Sequence, residues 1–279
     1  MALYLVPVPI GNLGDITLRA LELLKKAELI ACEDTRKTAF LLKQYDIPIP
    51  KLISFHKFNE RSREEQLLSY LHSGKDLIVV SDAGSPAISD PAEHLVKEAI
   101  TRGIKVFALP GASALVPAVS VAGFGTQQFQ FVGFLPTQAK KRREKLQEIA
   151  LYPYPTILYE APHRIAKLLS ELLISVGDRQ VCLCREISKL HEEQVRGRLS
   201  DLIQENAFTI KGEFVLILAA ADKAETRYEP DPDELEIKAR ELLKTGLGTR
   251  ELANRLADSS GISRKQAYSL ILKLSGKQL

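Results

Sequence analysis

The sequence lacks tryptophan altogether, and it has one methionine and three cysteines among 279 residues. A small, odd number of cysteines in a chain of this length argues against a disulfide scaffold and favours a reducing compartment. No apolar run approaches the roughly 18 residues that a transmembrane helix needs, and the first residues lack the basic and apolar regions of a secretory leader. We therefore expect a cytoplasmic protein with no membrane-spanning segment.

The sequence also lacks a large excess of either positive or negative charge. The 38 Lys and Arg residues nearly balance the 35 Asp and Glu residues, and the net charge of +3 excludes a uniformly basic nucleic-acid coat. Apolar residues make up 45% of the chain and charged residues 26%, which excludes a disordered chain. At about 150 residues per domain, the length predicts two domains and a small third one.

Short apolar runs alternate with helical patterns through most of the chain. Residues 76–81 give a strong strand signal, and a helix at 91–102 and a strand at 105–109 follow. This β-α-β-α order predicts a largely parallel sheet with helices on both faces. A second set begins near 123–126, with strands at 129–135, 156–160, 180–186 and 213–220 and a helix at 140–150. The predicted class is α/β, with one α/β domain at 1–122 and another at 123–224.

The C-terminal region follows an acidic, proline-containing stretch at 229–234, which is typical of an exposed linker. From 238 to 279, nine Lys and Arg residues stand against three Asp and Glu residues, and Ser263 with Gln266 forms a capping box before a predicted helix. We predict a linker and a small basic helical domain over 225–279, similar to a helix-turn-helix module. The charge is compatible with nucleic-acid contact and equally with a dimerisation or docking domain.

Four loops after predicted strands carry the candidate chemistry, at 7–15, 81–91, 109–114 and 159–164. Ligands of α/β proteins bind at the carboxyl ends of parallel strands. The length and small residues of the second loop favour a ligand contact. Taken singly, the first is typical of a strand-to-helix turn, and the other two fit a structural role as well as a functional one. Neither Gly-x-Gly-x-x-Gly nor a P-loop lysine is present, which argues against dinucleotide and triphosphate sites.

Two further patterns have ordinary explanations. Cys182 and Cys184 share one face of a predicted strand without a paired His or Cys cluster, which favours buried packing over zinc, and we predict no metal site. The cluster at 140–145 has five bases and one acid. It is either a solvated helix face or a contact for a phosphate backbone.

Taken together and in this order, the loops resemble the tetrapyrrole-methylase family of S-adenosylmethionine-dependent methyltransferases, and most closely its ribosomal RNA branch. The resemblance is carried by 7–15, Glu33-Asp34-Thr35-Arg36, 81–91, 110–114, 159–164 and Gly212-Glu213-Phe214. It spans residues 2–222, and the basic C-terminal region is similar to that branch's extra helical domain. Each motif is weak alone, whereas the ordered set is specific.

The resemblance implies two α/β domains with S-adenosylmethionine in the cleft between them, and a homodimer. The methyl donor would be bordered by Pro7, Gly84, Ser85, Pro86, Ile88, Ser113, Ala114, Glu213 and Phe214. Gly84-Ser85-Pro86 stands where tetrapyrrole-acting members have Gly-Asp-Pro. Ser85 is therefore a departure from the family pattern, and it implies that the ligand contacts the backbone there.

The implied acceptor is the ribose 2′-OH of a decoding-region cytidine, cytidine 1402 of 16S rRNA in the small ribosomal subunit. A ribose hydroxyl is a weak nucleophile, so a nearby side chain has to take or share its proton. The candidates are Asp34, Glu160, His163 and Lys189; the candidate RNA contacts are Arg36, Lys140, Lys141, Arg142, Arg143, Arg164 and Arg185. Two alternatives stay open, a tetrapyrrole methyltransferase and a non-catalytic ribosome-binding factor. The basic clusters favour RNA over a tetrapyrrole.

Overall fold

In a computed structural model of the chain, the described residues are 1–88, 92–125, 127–204, 208–221, 232–243, 245, 247–260 and 264–275. They fall into two compact units, residues 1–220 and residues 221–279. The first unit contains two five-stranded sheets. Within the described part of the chain, no helix combines the length and the apolar character that crossing a bilayer requires.

The first sheet is entirely parallel, as the β-α-β-α pattern predicts. Its strands are β1 (Ala2–Leu5), β2 (Leu29–Cys32), β3 (Lys51–Ser54), β4 (Leu77–Val80) and β5 (Lys105–Ala108), in the order β3-β2-β4-β1-β5. The connecting helices are α1 (Leu18–Lys26), α2 (Thr35–Gln44), α3 (Glu60–His72) and α4 (Ala92–Thr101). Because all five strands run the same way, the loops after them gather along one edge of the sheet.

Burial on both faces explains why the inner strands of this sheet are continuous apolar runs. Along β4, Leu77 and Val79 enter one core layer, while Ile78 and Val80 enter the layer on the opposite face. The helices that cover these layers begin at recognisable caps. Thr17 Oγ1, for example, accepts a hydrogen bond from Ala20 N at 3.1 Å and starts α1.

The second sheet is mixed. Its strands are β6 (Gln130–Phe134), β7 (Thr156–Glu160), β8 (Gln180–Arg185), β9 (Glu193–Arg198) and β10 (Phe214–Leu218), in the order β6-β7-β10-β8-β9. β6 and β7 pair in parallel, and the other neighbours are antiparallel. Helices α6 (Ala139–Leu151), α7 (Pro162–Val176) and α8 (Leu199–Gln204) follow β6, β7 and β9. Central strand β10 is buried at all five positions.

The helix α5 (Leu115–Val121) joins the two sheets into one unit. It follows β5 of the first sheet, but its Ala118 and its C-cap residue Ala122 pack in the same core cluster as Val215 and Ile217 of β10. These two alanines are almost fully buried. The helix therefore lies before the domain boundary expected at 122–123 and covers the second sheet. Its small side chains let it approach that sheet closely.

Several elements differ from the sequence expectations. The apolar run at the start of the chain forms a strand only as far as Leu5, because Pro7 and Pro9 cannot donate to a ladder; a single bridge joins Val8 to Gly84 beyond it. The strands β3 and β9 and the helix α3 were not anticipated. The predicted start of α4 at Pro91 lies outside the described residues, as do residues 89–90 of the second loop.

The C-terminal unit contains the helices α9 (Pro232–Leu243), α10 (Thr249–Ser260) and α11 (Arg264–Leu274). They pack around a small apolar core that includes Ala239, Leu256 and Ile271. This arrangement agrees with the predicted small helical domain. Ser263, the first residue of the predicted capping box, and the linker residues 229–231 lie outside the described residues.

Two residues of α7 test which face of this helix is buried against the second sheet. We expect Leu172→Ala to lower the free energy of unfolding by about 2–5 kcal/mol, because the fully buried side chain leaves a cavity under the second sheet. Ile174→Ala, on the exposed side of the same helix, should stay within about 0.5 kcal/mol. Urea denaturation of both variants measures this, and equal losses would contradict the burial pattern.

Candidate active site

A cleft of about 550 Å³ opens where the carboxyl edge of the first sheet faces the ends of β7 and β10. It brings together residues from all four loops singled out in the sequence. Of the residues expected to border a donor, it is lined by Gly84, Ser85, Ile88, Ser113, Ala114, Glu213 and Phe214, and of the expected catalysts by Glu160 and His163. The cleft is also lined by residues to which the sequence analysis gave no individual role. Ile10, Glu33, Asp82 and Tyr159 lie within the segments it singled out, whereas Phe134, Ile187 and Val215 lie outside them.

The walls on the first-sheet side are built from backbone and small side chains. Gly84 has a φ of +78°, and its N–H and C=O exchange hydrogen bonds with Val8 at 2.9 and 3.0 Å. A Cβ at Gly111 would lie 2.6 Å from the Cβ of Pro7, so the third loop packs directly on the first. Pro7 and Pro86 are buried and do not appear among the cleft-lining residues. Of the two, Pro7 lies directly against Gly111 of the third loop.

Hydroxyl groups hold the third loop in place. Ser85 Oγ donates to Ala112 O at 3.1 Å, and Ser113 Oγ accepts from Leu115 N at 3.3 Å. Beside this loop, burial raises the pKa of the Tyr159 phenol, although hydrogen bonds with Leu115 N and Ser113 oppose the shift. Tyr159 also makes an edge contact with Phe134, with 5.6 Å between the ring centroids. The cleft thus combines one wall of small residues with one aromatic corner.

The carboxylate of Glu160 is held inside the protein. Its side chain has no exposed surface, and its Oε1 accepts from Ala161 N at 3.0 Å and from Arg164 Nε at 3.2 Å. Arg142 Nη2 lies 3.8 Å from Oε2. Arg164 in turn donates to Leu135 O at 3.0 Å. Glu160 therefore fixes the turn between β7 and α7, and its negative charge is paired with Arg164 and Arg142 inside the protein.

Asp34 is the side-chain cap of α2, since its Oδ1 accepts from Arg36 N at 2.8 Å. The Arg36 guanidinium also grips the carboxylate through two hydrogen bonds of 3.1 and 2.7 Å. These contacts, the guanidinium first, hold the pKa of Asp34 well below its usual range. The group stays ionised and is a good hydrogen-bond acceptor, but it is a weak base.

Lys189 links the second sheet to the first loop. Burial alone would lower the pKa of Lys189, but hydrogen bonds from its Nζ to Glu186 Oε1 (2.9 Å) and Glu213 Oε2 (3.0 Å) outweigh burial and raise it. The amine is therefore protonated at neutral pH and has no lone pair to accept a proton. Its aliphatic stem crosses Gly11, where a Cβ would lie 2.5 Å from it.

A second compartment of about 480 Å³ adjoins the cleft, and both are bordered by Ser81 and Asp82. Asp82 follows β4, and its Oδ1 accepts from Asp34 N at 3.0 Å while its Oδ2 accepts from Lys37 Nζ at 2.7 Å. Its own N–H donates to Glu33 Oε1 at 3.0 Å. The signal for Asp82 was its position at the start of the second loop, directly beyond the strongest strand.

Residues 2–203 match the sequence pattern of the Tetrapyrrole (Corrin/Porphyrin) Methylases, and this span contains both sheets except β10. The chain belongs to the tetrapyrrole methylase family. Among the described residues of this methylase, no group of His, Cys, Asp and Glu is arranged to hold a metal ion.

The similarity of this methylase to known proteins extends beyond the residues that match the family pattern. The "Ribosomal RNA small subunit methyltransferase I" of Halalkalibacterium halodurans is 40% identical over 96% of this chain and 93% of its own length. The protein of that name from Synechocystis is 42% identical over 98% of each chain. A third, from Streptococcus pyogenes, is 41% identical over 95% of this chain and 93% of its own. Such coverage takes in most of the C-terminal unit.

Solved structures resemble the two-sheet unit. The uroporphyrin-III C-methyltransferase of Thermus thermophilus matches 78% of this methylase and 97% of its own chain, with a TM-score of 0.56 and 21% identity. That enzyme has also been solved in complex with S-adenosyl homocysteine, where the TM-score is 0.56 at 20% identity. A diphthine synthase covers 78% of this chain and 90% of its own, with a TM-score of 0.59 at 15% identity. At these identities the likeness shows a common fold.

The structure divides the predicted RNA contacts of this methylase into two groups. Lys140, Lys141 and Arg143 are exposed on α6, and Arg36 is exposed at the start of α2. The other three arginines are engaged inside the protein, which departs from the expectation: Arg142 with Glu171 and Glu160, Arg164 with Glu160, and Arg185 with Glu193 at 2.7 Å. Arg142 is buried because it lies on the face of α6 that packs against α7.

Adjacent arginines of α6 separate a structural from a surface role. We expect Arg142→Ala to lower the free energy of unfolding by about 3 kcal/mol, since it removes one partner of a buried ion pair and leaves Glu160 with Arg164 alone. Arg143→Ala, its exposed neighbour, should change that free energy by less than about 0.5 kcal/mol. The measurement is urea denaturation, and a stable Arg142→Ala variant would refute the internal role.

Proposed function

We propose that this protein is an S-adenosylmethionine-dependent methyltransferase that methylates the ribose 2′-OH of a decoding-region cytidine, cytidine 1402 of 16S rRNA, in the small ribosomal subunit. The observation that carries the proposal is the cleft. The loops that make the ordered family pattern converge on it in a chain about 40% identical, nearly end to end, to proteins named ribosomal RNA small subunit methyltransferase I. We further propose a cytoplasmic homodimer.

The cleft fits the methyl donor in size and chemistry. Its volume of about 550 Å³ lies within the usual range for cofactor sites. A flat adenine and ribose need close approach to the backbone, which the glycine, serine and alanine walls allow. The residues that would hold the donor are Gly84, Ser85, Ile88, Ser113, Ala114, Glu213 and Phe214, with Pro7 and Pro86 supporting the wall. When bound, S-adenosylmethionine supplies an electrophilic methyl carbon on a sulfonium.

The chain itself has to orient the acceptor hydroxyl, exclude water and take up a proton. Among the four candidate bases, Lys189 is protonated, Asp34 is a weak base, and Glu160 is held in internal ion pairs. His163 remains at the exposed end of the cleft. Asp82 is also ion-paired, with Lys37 at 2.7 Å, but it is better placed than the other carboxylates because it borders both the cleft and the adjoining compartment. We therefore propose that Asp82 accepts the proton of the ribose 2′-hydroxyl group.

RNA contact is supported by charge that faces solvent. Lys140, Lys141 and Arg143 form an exposed basic row at the start of α6, and they are free to neutralise phosphates. The C-terminal unit, with its excess of basic residues, is proposed as a second contact. Tetrapyrrole methylation is the alternative function, since the Thermus thermophilus relative is named for a uroporphyrin substrate.

The deciding experiment measures methyl transfer from labelled S-adenosylmethionine to unmodified small ribosomal subunits and, separately, to naked rRNA. Nuclease digestion should recover the label as 2′-O-methylcytidine. Label transferred to uroporphyrinogen instead would replace the RNA function with the tetrapyrrole one. No transfer to any acceptor, together with no binding of S-adenosylmethionine, would favour the non-catalytic ribosome-binding factor.

Ser113 tests the donor wall. We expect Ser113→Trp to abolish binding of S-adenosylmethionine, because an indole at this position fills the cleft from the small-residue side. Val116→Trp, exposed on the following helix, should bind the donor normally. Isothermal titration calorimetry measures both, with circular dichroism to check folding. Unchanged affinity in Ser113→Trp would remove this residue from the site.

Asp82 tests the proton acceptor. We expect Asp82→Asn to lower kcat by about 100-fold or more, with little change in the Kd of S-adenosylmethionine, because the amide keeps the hydrogen bond from Asp34 N but cannot take a proton. Asp46→Asn is the matched control on an exposed turn with a φ of 53°, which asparagine tolerates. A fully active Asp82→Asn together with an inactive His163→Gln would move the role to His163.

A further inference from the structure

The second compartment has a lining unlike that of the donor cleft. It is bordered by the aromatic ring of Phe40, the cations of Arg36 and Lys37, and the carboxylates of Asp34 and Asp82. Phe40 leaves 66% of its surface exposed, although it stands on a helix whose other apolar residues are mostly packed. An open aromatic face beside cations is a common arrangement for stacking an unpaired base and holding its phosphates.

The position of the compartment is set by its two shared residues. Ser81 and Asp82 border both spaces, so a molecule lying across them reaches from one to the other. A ribose whose hydroxyl meets a methyl donor has to lie at such a junction, because the reacting atoms must come within about 3.5 Å. Its base then points away from the donor, towards α2.

The helix α2 presents these groups in register. Arg36 and Phe40 are four residues apart and therefore neighbours on one face. Asp34 caps the same helix, and the Arg36 guanidinium fixes the direction of its carboxylate. An ionised carboxylate accepts hydrogen bonds and donates none. It therefore matches the exocyclic amine of cytosine and opposes the O4 carbonyl of uracil.

We propose that this compartment is the acceptor-nucleotide subsite, in which Phe40 stacks on the cytosine ring, Asp34 accepts the cytosine N4 amine, and the ribose lies over Ser81 and Asp82. This assignment rests on the proposed function and adds the residues that choose the base. Arg36 and Lys37 are exposed at the rim, and the N–H groups that they do not use on Asp34 and Asp82 hold the flanking phosphates.

The stacking role is tested with a short RNA of the target sequence that carries the fluorescent base pyrrolocytidine at the acceptor position. The native protein should quench this base, Phe40→Ala should not, and Phe40→Tyr should restore the quenching. Phe58→Ala is the matched control, since Phe58 is a more exposed phenylalanine outside the compartment. Equal quenching by Phe40→Ala and the native protein would overturn the stacking assignment.

The specificity role is tested on small subunits reconstituted with cytidine or uridine at the acceptor position. Asparagine is as good a helix cap as aspartate, so Asp34→Asn keeps α2 but gives the compartment an N–H donor. We expect the ratio of kcat/KM for cytidine over uridine to fall by at least about tenfold, with the Kd of S-adenosylmethionine unchanged. A ratio equal to that of the native protein would remove Asp34 from base selection.

The two tests separate this assignment from the function on which it rests. Transfer to native subunits, together with unchanged behaviour of Phe40→Ala and Asp34→Asn, would overturn the subsite and leave the function standing. Quenching that depends on Phe40, without methyl transfer by the native protein, would support the subsite and overturn the catalytic proposal. Neither quenching nor transfer would overturn both.

Discussion

The close packing of α5 on the second sheet is the contact on which the rest of the site depends. The helix leaves the first sheet at β5 and lays Ala118 and Ala122 against Val215 and Ile217 of β10. Larger residues at these two buried positions would push the sheets apart. Because α5 begins just after the loop at 109–114, the same contact that joins the sheets also sets the third loop against the cleft.

Buried ion pairs in the two-sheet unit mainly hold backbone turns in place, whereas charged side chains on its surface are accessible to binding partners. Glu160 gathers Arg164 and Arg142 at the end of β7, and Glu186 with Glu213 holds Lys189 beside the first loop. These pairs position the turns that line the cleft. Most of the arginines and lysines on the open faces of α2 and α6 lack such an internal role, although Arg36 pairs with Asp34, Lys37 with Asp82 and Lys145 with Glu148. These exposed cations suit an anionic macromolecule.

Most of the architecture of the two-sheet unit was predictable from local pattern. Strands such as β4 and β10 are continuous apolar runs, and α6 and α7 carry their apolar stripes, so the α/β class and the four ligand loops followed from the sequence. The mixed pairing of the second sheet did not, because β9 lacks an apolar run: three of its six positions carry charged residues (Glu193, Arg196 and Arg198), and a fourth carries polar Gln194. This edge strand is held by its antiparallel pairing with β8, which precedes it in the chain.

The candidate site was predictable to a similar degree. The small residues that follow the parallel strands indicated the donor wall, because this inference needs only the local sequence and no knowledge of which residues contact each other. The burial of Arg142 and the shared position of Asp82 depend on tertiary contacts, with Glu171 in one case and with Asp34 and Lys37 in the other. A run of five bases gives no sign of which one turns inward, since that follows from the rotation of α6 against α7.

The turn at 186–189 closes one end of the cleft, and it does so under strain. Glu186 and Ser188 have φ values of 53° and 69°, in the left-handed region that non-glycine residues rarely adopt. The Lys189 side chain packs over Gly11, and the Ser188 hydroxyl donates a hydrogen bond to Asp15. This turn, which follows β8 of the second sheet, therefore contacts the first loop at two points. Ile187, in the middle of this turn, lines the cleft. The shape of that end of the cleft therefore depends on one strained turn and on two side chains that reach from the second sheet to the first loop.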